Sequence, residues 1–205
     1  MTLWYLARAA GAMALACFTL TVVLGALAPT VQRAGMRFSL GYVHRAAAVT
    51  GLVLIGAHLT AVITDSYVNI GPSVVFWPLG SSYRPFAVLV GALALYAFVF
   101  AAVLGAARGR LATSEAFSRR WRLLHGVAYV GWGLSVTHGL LAGTDRGSGW
   151  MLGLDLACLA AVAFAVTIRL QADADHRQRP LALARTRGQN LRSETLRSEI
   201  VRSQR

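Results

Sequence analysis

The apolar positions of this chain gather into five long runs separated by short polar connections, and each run is long enough to span a hydrocarbon core as a helix. The first runs from about Leu6 to Ala28, with Arg8 as its one charge, Trp4 and Tyr5 as interfacial anchors before it, and Pro29 at its end. The second runs from about Phe38 to Thr64 and carries no formal charge after Arg45. The third begins at Pro85, a residue suited to a first helical position, and ends near Ala107. The fourth extends from about Trp121 to Ala142 and the fifth from about Trp150 to Leu170. Residues 65–84 are also nearly uncharged, but Pro72, Pro78 and several glycines and serines rule out a continuous helix. With Val74, Val75, Phe76 and Trp77 at its centre, this stretch reads as a loop that folds back over the bundle or dips into the interface.

Composition agrees with an all-α, polytopic membrane bundle of about five transmembrane helices: 56% of the residues are hydrophobic and only 14% charged, too apolar for a soluble domain. The net charge of +12 is carried by arginine, yet nucleic-acid binding is a poor reading because most arginines flank the apolar runs. They concentrate in the 29–45 and 108–122 connections and in the tail, whereas the N-terminus, the 65–84 loop and the 143–149 turn hold one each. The positive-inside rule then places a multi-pass protein in the cell membrane with its N-terminus outside and its C-terminus cytoplasmic. No cleavable signal peptide is expected, since the first run lacks a basic leader and is long enough to span. Residues 1–170 form the membrane domain. Residues 171–205, reading LRSE-T-LRSE-I-VRSQ near the end, are expected to be a disordered or frayed basic cytoplasmic tail, with contact to anionic lipid as one role.

Against this apolar background four of the five histidines stand out. His44 and His58 lie 14 residues apart in the second run, and His125 and His138 lie 13 apart in the fourth. Histidine within a membrane span is costly and marks a functional site by default. Each pair is separated by roughly 20 Å along a helix, so one histidine falls toward each side of the core. The arginine count makes the two helices parallel, which sets His44 beside His125 toward the cytoplasm and His58 beside His138 toward the exterior. Two b-type haems, each held by a histidine from either helix, fit that arrangement; all four histidines are therefore metal-ligand candidates. On an ideal helix His44 and His58 fall within about 40° of each other, whereas His125 and His138 fall about 140° apart. The fourth span must bend from ideal, and Gly126, Gly131 and Gly133 make that easier.

Other candidates are secondary. Arg45 and Arg122, near the inner pair, are placed to hold haem propionates or to set topology. Arg84 and Arg146 lie near the outer pair, where topology predicts few arginines. Trp132, midway between His125 and His138, fills the gap between the haems or packs the core. Asp155 is an intramembrane carboxylate that pairs with Arg146, relays protons or is hydrated at the interface. Cys17 and Cys158 read as small buried residues, and His176 belongs to the polar tail.

The paired histidines, together with the segment from Trp121 to Asp145, resemble the ferric reductase-like transmembrane domain shared by ferric reductases and NADPH oxidases, in its stand-alone bacterial form. The resemblance covers roughly residues 1–170. It implies one haem on His44 and His125, a second on His58 and His138, and electron flow from a cytosolic flavin to an acceptor on the far side. The chain has no GxGxxG loop and no room for a flavin and nicotinamide module. The donor must then be a separate flavin reductase, a bound flavin or a quinol, as small haem subunits of methionine sulfoxide reductases rely on a separate partner.

The expected function is transmembrane electron transfer through two bis-histidine haems from a cytoplasmic-side donor to an outer-face acceptor, making the chain the membrane subunit of an oxidoreductase. Two rivals stand beside it: a quinol-linked cytochrome of the b561 kind, and a non-redox channel or transporter using histidine for protons or metal ions.

Overall fold

The structure, a computed structural model, describes residues 2–65, 70–111, 115–143 and 148–203, and the side chains of these except 109–117 and 179–203. The described residues are all helical or irregular. In chain order they form α1 (Thr2–Leu27), a three-ten turn (Ala28–Thr30), α2 (Ala34–Thr64), two short three-ten helices (Pro72–Val75 and Pro78–Gly80), α3 (Pro85–Leu111), α4 (Glu115–His125), α5 (Val127–Ala142) and α6 (Gly149–Ser203). Four of these, α1, α2, α3 and the first part of α6, are long and apolar enough to cross a membrane. The fourth apolar run is the shorter α5 extended by α4, so the expected helical membrane bundle is present.

The helices end where the sequence supplies a reason. Pro29 lies at the start of the three-ten turn that closes α1. At the end of α2, Asp65 caps the helix through its backbone N–H on the Ala61 carbonyl. Inside the spans, hydroxyls bond to their own helix: Thr19 donates to Leu15, Thr21 to Cys17, Thr60 to Gly56, Thr137 to Gly133 and Thr167 to Ala163. In a lipid environment every polar group needs such an internal partner. Large apolar side chains face outward instead, among them Phe38, Val49, Val53, Val103, Val130 and Phe164. On a soluble protein so much exposed apolar surface would mark an interface; on a bundle of helices long and apolar enough to cross a membrane it suits contact with lipid tails.

Two antiparallel helix pairs make up the bundle. Helix α1 packs along α2, and α3 packs along α5; α6 lies on α1. Helices α2 and α5 pack on one another far less than on these partners. The core runs through the centre, where Phe18 of α1 and Phe98 of α3 stack with ring centroids 3.7 Å apart, surrounded by Ala14, Leu15, Val22, Ala94, Trp132, Val136, Cys158 and Val162. The described part of the 65–84 loop, residues 70–84, does fold back: Ile70 and Val74 are buried against Trp4, Val62, Tyr83 and Val88, while Phe76 and Trp77 point outward.

Two elements differ from expectation. The run expected as one span over Trp121–Ala142 is broken at Gly126 into α4 and α5. The helix of the fifth run continues past Leu170 as backbone helix to Ser203, where a disordered or frayed helical tail is expected from the sequence. No glycine or proline interrupts residues 171–179, and Arg169 pairs with Asp173 at 3.4 Å across the junction, an i,i+4 contact that supports helix.

Candidate functional site

The four histidines meet in two pairs. At the arginine-rich end, the rings of His44 and His125 have centroids 6.4 Å apart and planes at 57°. At the opposite end, near the loop, His58 and His138 are 6.3 Å apart with planes at 88°. Helix α2 and the α4–α5 segment therefore run parallel and face each other across two levels of imidazole.

Each ring is also held from behind by a neighbouring helix. Nδ1 of His44 lies 2.8 Å from the Thr21 carbonyl, and Nδ1 of His58 lies 2.7 Å from that of Ala7, both on α1. Nδ1 of His125 lies 3.1 Å from the Ala101 carbonyl and that of His138 2.8 Å from Ala87, both on α3. A carbonyl only accepts, so Nδ1 carries the proton in all four rings. In the neutral imidazole Nε2 then keeps its lone pair. This is the usual preparation of a metal-ligating histidine, one nitrogen anchored to a second partner and the other left for the metal.

Four residues beyond each of those carbonyls stands a glycine that the ring lies against. A Cβ would come within 3.1 Å of the His58 ring at Gly11, 3.2 Å of His44 at Gly25, 2.7 Å of His138 at Gly91, and 3.5 Å of His125 at Gly105. The rings of His58, His44 and His138 thus sit in notches made by a missing side chain, while His125 lies over Gly105 at an ordinary contact distance. Midway between the levels, Phe18 does the same against Gly51, where a Cβ would lie 2.9 Å from its ring.

The donor set decides what such a pair can hold. A metal bonded at about 2.0–2.1 Å to a nitrogen on either side places two imidazole centroids roughly 6 Å apart, which is the spacing at both levels. Yet among the described residues no group of three or more His, Cys, Asp or Glu side chains gathers. A bare ion, which takes four to six ligands, would lack most of them here. Two opposed imidazoles in an apolar slot fit a metal whose remaining ligands come from a planar macrocycle such as haem. A cavity around the His58–His138 pair, lined by Gly11, Leu15, Leu59, Gly91, Leu95 and Gly139, gives it room.

The secondary candidates separate. Arg45 and Arg122 are exposed at the arginine-rich end, next to the His44–His125 level. Arg84 is exposed and donates to the Leu141 carbonyl at 2.7 Å, holding the end of α5. Trp132 is in the core, where its indole N–H donates to the Thr19 hydroxyl at 2.9 Å; the ring pair at mid-level is Phe18–Phe98. Both carboxylate oxygens of Asp155 are buried with no hydrogen-bond partner among the described residues. Arg146 lies outside the described residues, so its proximity to the loop-end pair and its pairing with Asp155 do too. Cys158 is buried, Cys17 half-buried, and both are free; His176 is exposed on α6.

Sequence reasoning missed the notches, Phe18 and Phe98, and Arg8, which lines the cavity at the loop-end pair. A signal for most of them exists. Ala7 and Ala87, Gly11 and Gly91, Phe18 and Phe98, Gly25 and Gly105, Gly51 and Gly131, and His58 and His138 are each 80 positions apart. The two helix pairs are a repeat, in which only His44 and His125, 81 apart, fall out of step.

Comparison of the chain with family models, with curated proteins and with solved structures finds no match.

Proposed function

We propose that this chain is a membrane electron-transfer protein that binds two b-type haems, one between His44 and His125 and the other between His58 and His138. The observation that carries this reading is the repeated ligand geometry: four imidazoles with Nδ1 on a carbonyl, arranged in two pairs at 6.3 and 6.4 Å. Held by these histidines, haem would supply a one-electron carrier, and the protein ligands would leave no room for a substrate on its iron. The Thr21, Ala7, Ala101 and Ala87 carbonyls orient the rings and raise the basicity of Nε2. The apolar residues between the levels, with the Phe18–Phe98 stack at their centre, exclude water along the bundle axis. Arg45 and Arg122 are placed to meet the propionates of the group at the arginine-rich end, and Arg8 those of the group at the loop end.

In this reading the arginine-rich end is cytoplasmic and receives electrons from a separate flavin reductase or a quinol, and an acceptor takes them at the loop end. The chain is then the membrane part of an oxidoreductase of the ferric reductase-like kind. The test is the visible spectrum of protein purified from haem-replete cells. A reduced-minus-oxidised b-type band with two haems per chain by pyridine haemochrome is expected; colourless protein overturns the proposal and favours a channel or transporter.

A further inference from the structure

One of the four histidines has a partner the others lack. Trp121, one turn before His125 on α4, stacks on its imidazole with centroids 4.7 Å apart and planes 15° from parallel. The indole is itself fixed, since its N–H donates to the Leu104 carbonyl at 2.8 Å. The Arg108 guanidinium lies 4.3 Å from the centre of the indole ring. Leu104 and Arg108 are one turn apart on α3, beside Gly105, which receives the His125 ring, and one turn beyond Ala101, which binds its Nδ1. Among the described residues no aromatic ring stacks in this way on His44, His58 or His138.

We infer that Trp121 is a positioning residue that fixes the imidazole plane of His125 against α3 and thereby makes the two haem sites inequivalent. The inference rests on the two-haem reading above. His125 is the last residue of α4, and the helix breaks at Gly126 directly after it. Its backbone stands where regular α-helix gives way to a tightened turn, and the stack fixes the ring there. The outcome is a plane angle of 57° at this level against 88° at the other. The angle between two axial imidazoles governs how their π orbitals split the metal d levels, and hydrogen bonding and charge around a ligand tune its metal's potential. The Arg108 cation, held by the indole, adds to the difference by favouring the reduced, more negative state of the nearer site.

The test is low-temperature EPR and a redox titration on the full-length holoprotein, comparing wild type with Trp121→Leu, Trp121→Phe and Arg108→Gln. In wild type two low-spin signals and two midpoint potentials are expected. Trp121→Leu should shift one signal and one potential and leave the other pair in place; Trp121→Phe, which keeps a ring to stack, should shift both less. Arg108→Gln should lower the same potential while moving the EPR signal little. Two bound haems with unchanged signals and potentials in Trp121→Leu overturn the inference and leave the two-haem reading standing. If Trp121→Leu loses one haem, Trp121→Phe decides: retention with a near-native signal supports the inference, and loss assigns Trp121 to folding and overturns it. Wild type without haem overturns both.

Discussion

The α1–α2 pair and the α3–α5 pair use the same parts and differ by one residue. Both present carbonyls and glycines at a 14-residue interval, from Ala7 and Gly11 to Thr21 and Gly25, and from Ala87 and Gly91 to Ala101 and Gly105. In the first pair the histidines keep that interval; in the second they are 13 apart. Fourteen residues over four turns is about 3.5 per turn and close to an α-helix, whereas thirteen is about 3.25, between α and three-ten geometry. The structure takes up the difference at Gly126. Its N–H bonds to both Arg122 and Leu123, and Tyr129 bonds back to Gly126, so the turn tightens to i→i+3 spacing. The loss of one residue is confined to one turn, and the ring spacing agrees within 0.1 Å between the two levels. The constraint under which both halves fold is thus the distance across α2 and α5, and helix regularity gives way to it.

The largest effect comes from removing a ligand. If the proposed two-haem reading holds, His58→Ala and His138→Ala should each lower bound haem from two to one per chain, and the double variant should do no worse than either alone, because both histidines would serve one centre. Pyridine haemochrome measures this directly. A double variant that loses further haem would mean that the halves do not share the site.

Filling a notch comes next, and the geometry orders the four positions. Gly91→Ala sets a Cβ 2.7 Å from the His138 ring, Gly11→Ala and Gly25→Ala leave 3.1 and 3.2 Å, and Gly105→Ala leaves 3.5 Å, an ordinary contact. Overpacking of this kind costs about 1–3 kcal/mol where the neighbour cannot move, and a ligand imidazole cannot. Haem retention on heating in detergent should fall in the order Gly91→Ala, then Gly11→Ala and Gly25→Ala, then Gly105→Ala near wild type. Equal losses at all four would break the repeat as a functional unit.

Gly126→Ala asks whether the tight turn is what reconciles the halves. Its Cβ would sit 2.9 Å from the Leu123 carbonyl oxygen, a backbone atom of the same turn. The cost should again be about 1–3 kcal/mol, seen as a lower melting temperature with the spectrum of the His44–His125 site altered and the other unchanged. Ala48→Gly, a single added glycine on the regular helix α2, should cost about 1 kcal/mol and alter neither spectrum.

Much of this was legible from the residues. Charge and proline located the spans, the arginine count made α2 and α5 parallel, and the helical angle at 13 residues required a distortion in the fourth span. The notches were not legible, because hydropathy weighs Gly11 or Gly91 as it weighs any small apolar residue. The partner of each histidine is a backbone carbonyl, which leaves no mark in the sequence. Trp132, midway between His125 and His138, was open to the gap between the haems or to core packing, and its N–H found Thr19 in the core. Phe18 and Phe98, each halfway between two glycines of its own helix, hold the middle instead. What survived from sequence was what depends on a helix by itself; what was lost depends on which face meets which.

The smallest effect concerns Arg84, which shares the 80-residue register with Trp4 but no chemistry with it. Its backbone has φ of 40°, in the left-handed region, and its guanidinium bonds to the Leu141 carbonyl. Arg84→Gly relieves the backbone by about 1 kcal/mol and removes a hydrogen bond that contributes about 0.5–1.5 kcal/mol, so the two nearly cancel. Arg84→Ala keeps the strain and loses the bond, and should be the less stable of the two by about 1 kcal/mol. Both should retain two haems with wild-type spectra, since the guanidinium is committed to the end of α5. Loss of the loop-end haem in either variant would return Arg84 to the site and separate the two halves further than their ligands do.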